Sequence, residues 1–94
     1  GSGGLTRLAY FPIGEGGDLG GGAAAVDTAT GNVFFTNSHA NTVSVVSGAT
    51  NKVIGTINAG ESPYGAAADP TTRRVYIGNQ ISRNVTIIQD TFVP

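Results

Sequence analysis

Ala24-Ala25-Val26-Asp27, then Val33-Phe34-Phe35-Thr36-Asn37, then Thr42-Val43-Ser44-Val45-Val46 are three short runs that return 42 residues further on. The second copy reads Ala66-Ala67-Ala68-Asp69, Val75-Tyr76-Ile77-Gly78-Asn79 and Asn84-Val85-Thr86-Ile87-Ile88. The runs are short, apolar and rich in Val and Ile, with no helical periodicity, so they read as β-strands. Between them stand Asp27-Thr28-Ala29-Thr30-Gly31-Asn32, Ser47-Gly48-Ala49-Thr50-Asn51 and Asp69-Pro70-Thr71-Thr72, which carry the residues that make turns. Working outward, the pattern predicts strands over 5–11, 23–26, 32–36, 42–47, 52–57, 65–68, 74–78 and 84–89.

Self-similarity at this period, with three or four short strands per copy, is the pattern of β-propeller blades. The expected fold is all-β: blades of four antiparallel strands, two blades per chain, and a ring completed by oligomerisation. Val33-Phe34-Phe35 and Val85-Thr86-Ile87-Ile88 are apolar toward both faces, whereas a sheet with one wet face alternates. A blade sandwiched between two others needs both faces apolar. The small-residue runs 23–25 and 66–68 suit the crowded innermost strand. Counted from inside out, 22–58 makes a complete blade and 64–90 a three-stranded one. The segment 5–12 is the outer strand expected to complete a neighbouring blade. It leads into Ile13-Gly14-Glu15 as Val53-Ile54-Gly55-Thr56-Ile57 leads into Ala59-Gly60-Glu61. Residues 1–4, beginning Gly1-Ser2-Gly3, read as a scar or linker outside the fold.

At 94 residues the chain is one domain at most and near the lower limit for a self-sufficient core. Only 12% of residues are charged and the net charge is -1, so a basic surface for nucleic acid is missing. No apolar run approaches the length of a membrane span. With no cysteine there is neither a disulfide framework nor a thiolate metal site. The low charge, single Lys and Thr/Asn-rich composition point to an extracellular or cell-surface protein.

The passage Val33-Phe34-Phe35-Thr36-Asn37, Asn41-Thr42-Val43-Ser44-Val45-Val46, Thr50-Asn51-Lys52-Val53-Ile54-Gly55-Thr56-Ile57, Gly60 and Pro63-Tyr64-Gly65 closely resembles the YVTN β-propeller repeat. The second copy continues it with Asp69-Pro70 and Val75-Tyr76-Ile77-Gly78-Asn79. The resemblance covers about 5–89. It departs at 14–22, where the exit of the first outer strand is longer and lacks the Pro-x-Gly. Family rings also carry more blades on one chain than the two here. What the resemblance implies is a surface protein with binding roles; it does not imply one reaction.

In a propeller the loops joining second to third strands share a rim with those joining one blade to the next. That rim gathers His39, Glu15, Asp18, Glu61, Tyr64 and Arg83. His39, the single histidine, is the best candidate for acid–base work, with Glu61 to orient it. A lone His in an Asn/Ser loop is more often a solvated turn residue, so no catalytic residue is assigned. Glu15, Asp18 and Glu61 lack the dense spacing of a calcium loop, and no metal or other cofactor is expected. The glycine-rich stretch 14–22 has no following Lys-Ser/Thr and no helix, so it reads as a flexible loop rather than a phosphate cradle. Asp27 and Asp69 are expected to cap turns, and Asn37 and Asn79 to bond adjacent loop backbone. Arg73-Arg74 falls on the opposite rim. Asn84-Val85-Thr86 fits a glycosylation acceptor but opens a strand.

Blade faces left in water exceed the apolar patch a soluble monomer tolerates. At ~25 cal/mol per Å², covering several hundred Å² is worth on the order of 10 kcal/mol before association costs. The expected partner is therefore the chain itself, as a trimer first and a tetramer next, with a surface protein or glycan as further partners. The leading functional expectation is a non-enzymatic binding and structural scaffold. One alternative is a carbohydrate-binding propeller, in which Tyr64 and Tyr10 replace the Trp of two-blade lectins. The other is a small-molecule lyase or hydrolase using His39.

Overall fold

Among the described residues seven strands form, where the apolar runs place them. The computed structural model of the chain describes residues 22–92. The expected strand at 5–11, the linker at 1–4, and Tyr10, Glu15 and Asp18 lie outside those residues. Strands β1 (Ala24–Asp27), β2 (Asn32–Asn37), β3 (Thr42–Ser47) and β4 (Lys52–Asn58) form one antiparallel sheet in the order β1-β2-β3-β4. Strands β5 (Pro63–Asp69), β6 (Arg74–Asn79) and β7 (Asn84–Gln89) form a second sheet in the order β5-β6-β7. The bounds of β2 and β3, advanced by the 42-residue period, are the bounds of β6 and β7. Strand β5 starts earlier than expected because Pro63 pairs with Asn79 across a bulge before Gly65.

The turns repeat as faithfully as the strands. Gly31 and Asn41 have left-handed backbone, with φ of 79° and 58°, and their counterparts Arg73 and Arg83 have φ of 56° and 57°. Asp27 Oδ1 accepts the Ala29 amide at 3.0 Å, and Asp69 Oδ1 accepts the Thr71 amide at 3.0 Å. Both aspartates thus cap turns as their sequence context predicts.

The two asparagines meet the expectation only in part. Asn37 Nδ2 donates to Thr42 Oγ1 at 3.1 Å and to Ser44 Oγ at 2.8 Å. Asn79 Nδ2 donates to Asn84 Oδ1 at 3.0 Å and to Thr86 Oγ1 at 2.8 Å. These are side-chain clasps across the hairpin rather than bonds to its loop backbone. The cause is register: Asn37 lies opposite Thr42 and Asn79 opposite Asn84, which brings polar side chains together on one face. Only Asn79 also meets backbone, its Oδ1 accepting the Gly60 amide at 3.1 Å.

The core lies between the sheets. Phe34, Val43 and Val45 from the first sheet cluster with Val75, Ile77 and Ile88 from the second, and Ile57, Ala59, Ala66 and Ala68 pack around them. The closest approach is between β1 and β2 on one side and β5 on the other, where alanines allow it. The two sheets use opposite faces for this contact. One repeat after Phe34, Val43 and Val45 come Tyr76, Val85 and Ile87, which are 37%, 59% and 58% exposed. The first sheet turns outward the face that the second buries: Val26 on it is exposed, and Val33 and Phe35 are half-buried. Ser44 and Val46, further along that face, are buried. The sheets therefore stack in sequence, front to back, rather than face to face.

Candidate functional site

The segment from Asn58 to Tyr64 crosses from the first sheet to the second and builds one rim. The Ala59 amide donates to the Asn41 carbonyl at 2.9 Å, and the Ser62 amide to Asn41 Oδ1 at 2.9 Å. On the other side, the Gln80 and Ile81 amides donate to the Ser62 and Glu61 carbonyls at 2.8 and 3.2 Å. The Glu61 amide donates to Ser82 Oγ at 3.0 Å. Gly60 is required there, because a Cβ on it would stand 2.7 Å from the Asn79 side chain. The crossing segment and the two hairpin turns thus share one rim, as the sequence predicts for His39, Glu61, Tyr64 and Arg83.

The structure brings only some of those residues together. Tyr64 and Arg83 line an open groove of about 410 Å³ with Gly65, Gly78, Asn79, Gln80, Asn84 and Val85. Tyr64 is 54% exposed. Glu61 sits beside this groove without lining it, its carbonyl tied to Ile81. His39, in the β2–β3 turn, is exposed and does not line the groove. Among the described residues no group of three or more His, Asp or Glu is placed to hold a metal ion. The groove therefore offers an aromatic ring, a guanidinium and neutral amides, a surface suited to binding.

The opposite rim holds a site that sequence reading misses. Asp90, just past β7, is buried and accepts Thr30 Oγ1 at 2.6 Å, Asn32 Nδ2 at 3.3 Å and the Phe92 amide at 3.2 Å. Burial pushes its carboxyl up. Hydrogen bonds donated by Thr30, the Phe92 amide and Asn32 help to outweigh that and hold it below the usual carboxylate range. Asp27 itself is fully buried, and its Oδ2 has no hydrogen-bond partner. No motif marks this cluster, since its members lie far apart in the chain and Asp90 has Gly48 as its counterpart in the first copy. The groove was partly findable: advancing the Thr36–Val43 hairpin by one repeat places Gly78, Asn79 and Val85 beside Arg83.

Hydrazine synthase of Kuenenia stuttgartiensis superposes on 93% of the chain with a TM-score of 0.72 at 20% sequence identity. The fold is β-propeller-like. The superposition takes in 24% of the hydrazine synthase chain. In sequence, 42 residues are 48% identical to part of the PE-PGRS family protein PE_PGRS18 of Mycobacterium tuberculosis, covering 45% of this chain. That match takes in 9% of the mycobacterial protein, so the chain spans a small part of the relatives it resembles. No family model matches the chain.

Proposed function

We propose that the chain is a non-enzymatic binding and structural module of YVTN type whose sheets continue to stack on further copies until a ring closes. One observation carries this reading. The surface exposed at Tyr76, Val85 and Ile87 is the repeat of the surface buried at Phe34, Val43 and Val45. What covers the surface at Phe34, Val43 and Val45 is the back of a sheet of this same repeat, and the back of the first sheet carries the matching residues Val33, Phe35 and Val46. A contact between unlike faces of identical units propagates, and closes when its rotation allows. Among the described residues strand β7 pairs with β6 alone, and its other edge is the one the outer strand 5–12 of a neighbour would take. Three copies would give six blades and four would give eight, with three favoured. An extracellular or cell-surface setting, with a surface protein or glycan as target, fits the sparse charge and polar surface. Light scattering coupled to gel filtration tests the reading: a mass of three or four chains is expected, and a single-chain mass at micromolar concentration overturns it.

Carbohydrate binding is the second reading, favoured by Tyr64 standing exposed beside Arg83, Gln80 and Asn84 in one groove. Glycan-array screening tests it: loss of a glycan signal on Tyr64→Ala supports it, and an array without hits removes it.

A further inference from the structure

The groove beside Tyr64 has a filled counterpart within the same molecule. Moved back by one repeat, Gly78, Arg83 and Val85 become Thr36, Asn41 and Val43. On the first sheet that surface is covered by the crossing segment 59–64. Thr36 Oγ1 donates to the Tyr64 carbonyl at 3.1 Å, Asn41 accepts the Ala59 and Ser62 amides, and Val43 is fully buried. On the second sheet the same surface is the open groove, and Val85 is 59% exposed.

A second observation, at the other end of the stack, concerns what such a segment bonds on its far side. Asn79 Oδ1 accepts the Gly60 amide of the crossing segment. Its counterpart Asn37 Oδ1 is equally buried and has no hydrogen-bond partner. Leaving a buried carbonyl oxygen unpaired costs on the order of 1–3 kcal/mol, so a donor there would be selected by the fold. The sequence that leads into β1 is Ile13-Gly14-Glu15, which matches Ala59-Gly60-Glu61.

We infer that segment 13–22 of a second copy of this chain occupies the groove. Its Gly14 amide then serves Asn37 Oδ1 of its own first sheet, while its other side covers Gly78, Arg83 and Val85 of the copy in front. The inference rests on the stacking reading above and names the segment that forms the seam. The groove lies on the outer face of the second sheet, with the core between it and β1, the strand into which segment 13–22 leads. A crossing segment needs a sheet on either side, and two copies supply them.

The absence of cysteine makes a direct test simple. Ile13→Cys together with Arg83→Cys places thiols at the positions matching Ala59 and Asn41, whose backbones are bonded. Mild oxidation is expected to give covalent multimers that reductant reverses, while each single variant yields nothing beyond a dimer. A second variant, Gly78→Trp, plugs the groove; Gly78 is exposed and a Cβ on it meets nothing within 4 Å, so the added side chain starts out over the open groove rather than in the core. It should keep its β-sheet circular dichroism and fall from a three- or fourfold mass to the single-chain mass. Either an oligomer whose double-cysteine form oxidises without an interchain link, or a Gly78→Trp chain that stays oligomeric, overturns the inference and leaves stacking intact. A wild-type chain that is monomeric overturns both.

Discussion

Thr30 Oγ1 donates to Asp90 Oδ2 at 2.6 Å across 60 residues of sequence, fastening the end of the second sheet to the first turn of the first. With Asn32 and the Phe92 amide on the same carboxylate, Asp90 is a buried acceptor for three groups. Replacing Asp90 with Ala leaves Thr30 and Asn32 without their acceptor and should cost about 1–3 kcal/mol, read from denaturant unfolding. Unchanged stability would show that the clasp contributes nothing.

The same residue sets a pH dependence. Its carboxyl is held below the ordinary value when folded, so its contribution is complete above the unfolded pKa. That contribution is lost as pH falls through the lower, folded pKa. Thermal unfolding followed from pH 6 downward should therefore show a loss of stability in the acid range that Asp90→Asn diminishes. Equal slopes in the two proteins would exclude Asp90 as the source.

The two asparagine clasps are chemically unequal. Asn79 makes two donor bonds and accepts the Gly60 amide, whereas Asn37 makes the two donor bonds while its Oδ1 is unpaired. Asn79→Ala should therefore destabilise the isolated chain by more than Asn37→Ala, by about 1 kcal/mol. Chemical denaturation below the association concentration reads the difference, and equal losses would contradict the assignment.

Arg73 and Arg83 occupy turn positions held by Gly31 and Asn41 in the first copy, all with positive φ. Arginine gains nothing from left-handed backbone, and the strain is on the order of 1 kcal/mol. Arg73→Gly and Arg73→Asn should each raise the melting temperature, or at least leave it unchanged. A clear fall would mean the Arg73 side chain holds something the turn needs.

Gly60 and Gly55 provide a matched pair. A methyl group on Gly60 meets the Asn79 and Ser82 side chains at 2.7 Å, while on Gly55 it meets nothing within 4 Å. Gly60→Ala should cost about 1–3 kcal/mol through displacement of the Asn79 clasp, and Gly55→Ala should stay within about 0.5 kcal/mol of wild type. Comparable behaviour of the two variants would contradict the close approach at Gly60.

Much of this molecule was legible before folding. The doubled Val33–Asn37 and Thr42–Val46 runs determined the strands and their period, and the Asp and Gly residues determined the turns, because these are local preferences of backbone and side chain. The rim shared by Tyr64 and Arg83 also followed, since repeat register alone places those loops together. Sequence could not show which face of each sheet is buried: Phe34 and Phe35 are equally apolar, and only the stacking order buries one and half-exposes the other. Nor could it pair Asp90 with Thr30, because contacts between residues outside the repeat depend on how two finished sheets are set against each other. Local chemistry determined the strands and turns of this protein, and the packing of one sheet behind another decided its core, its groove and its buried carboxylate.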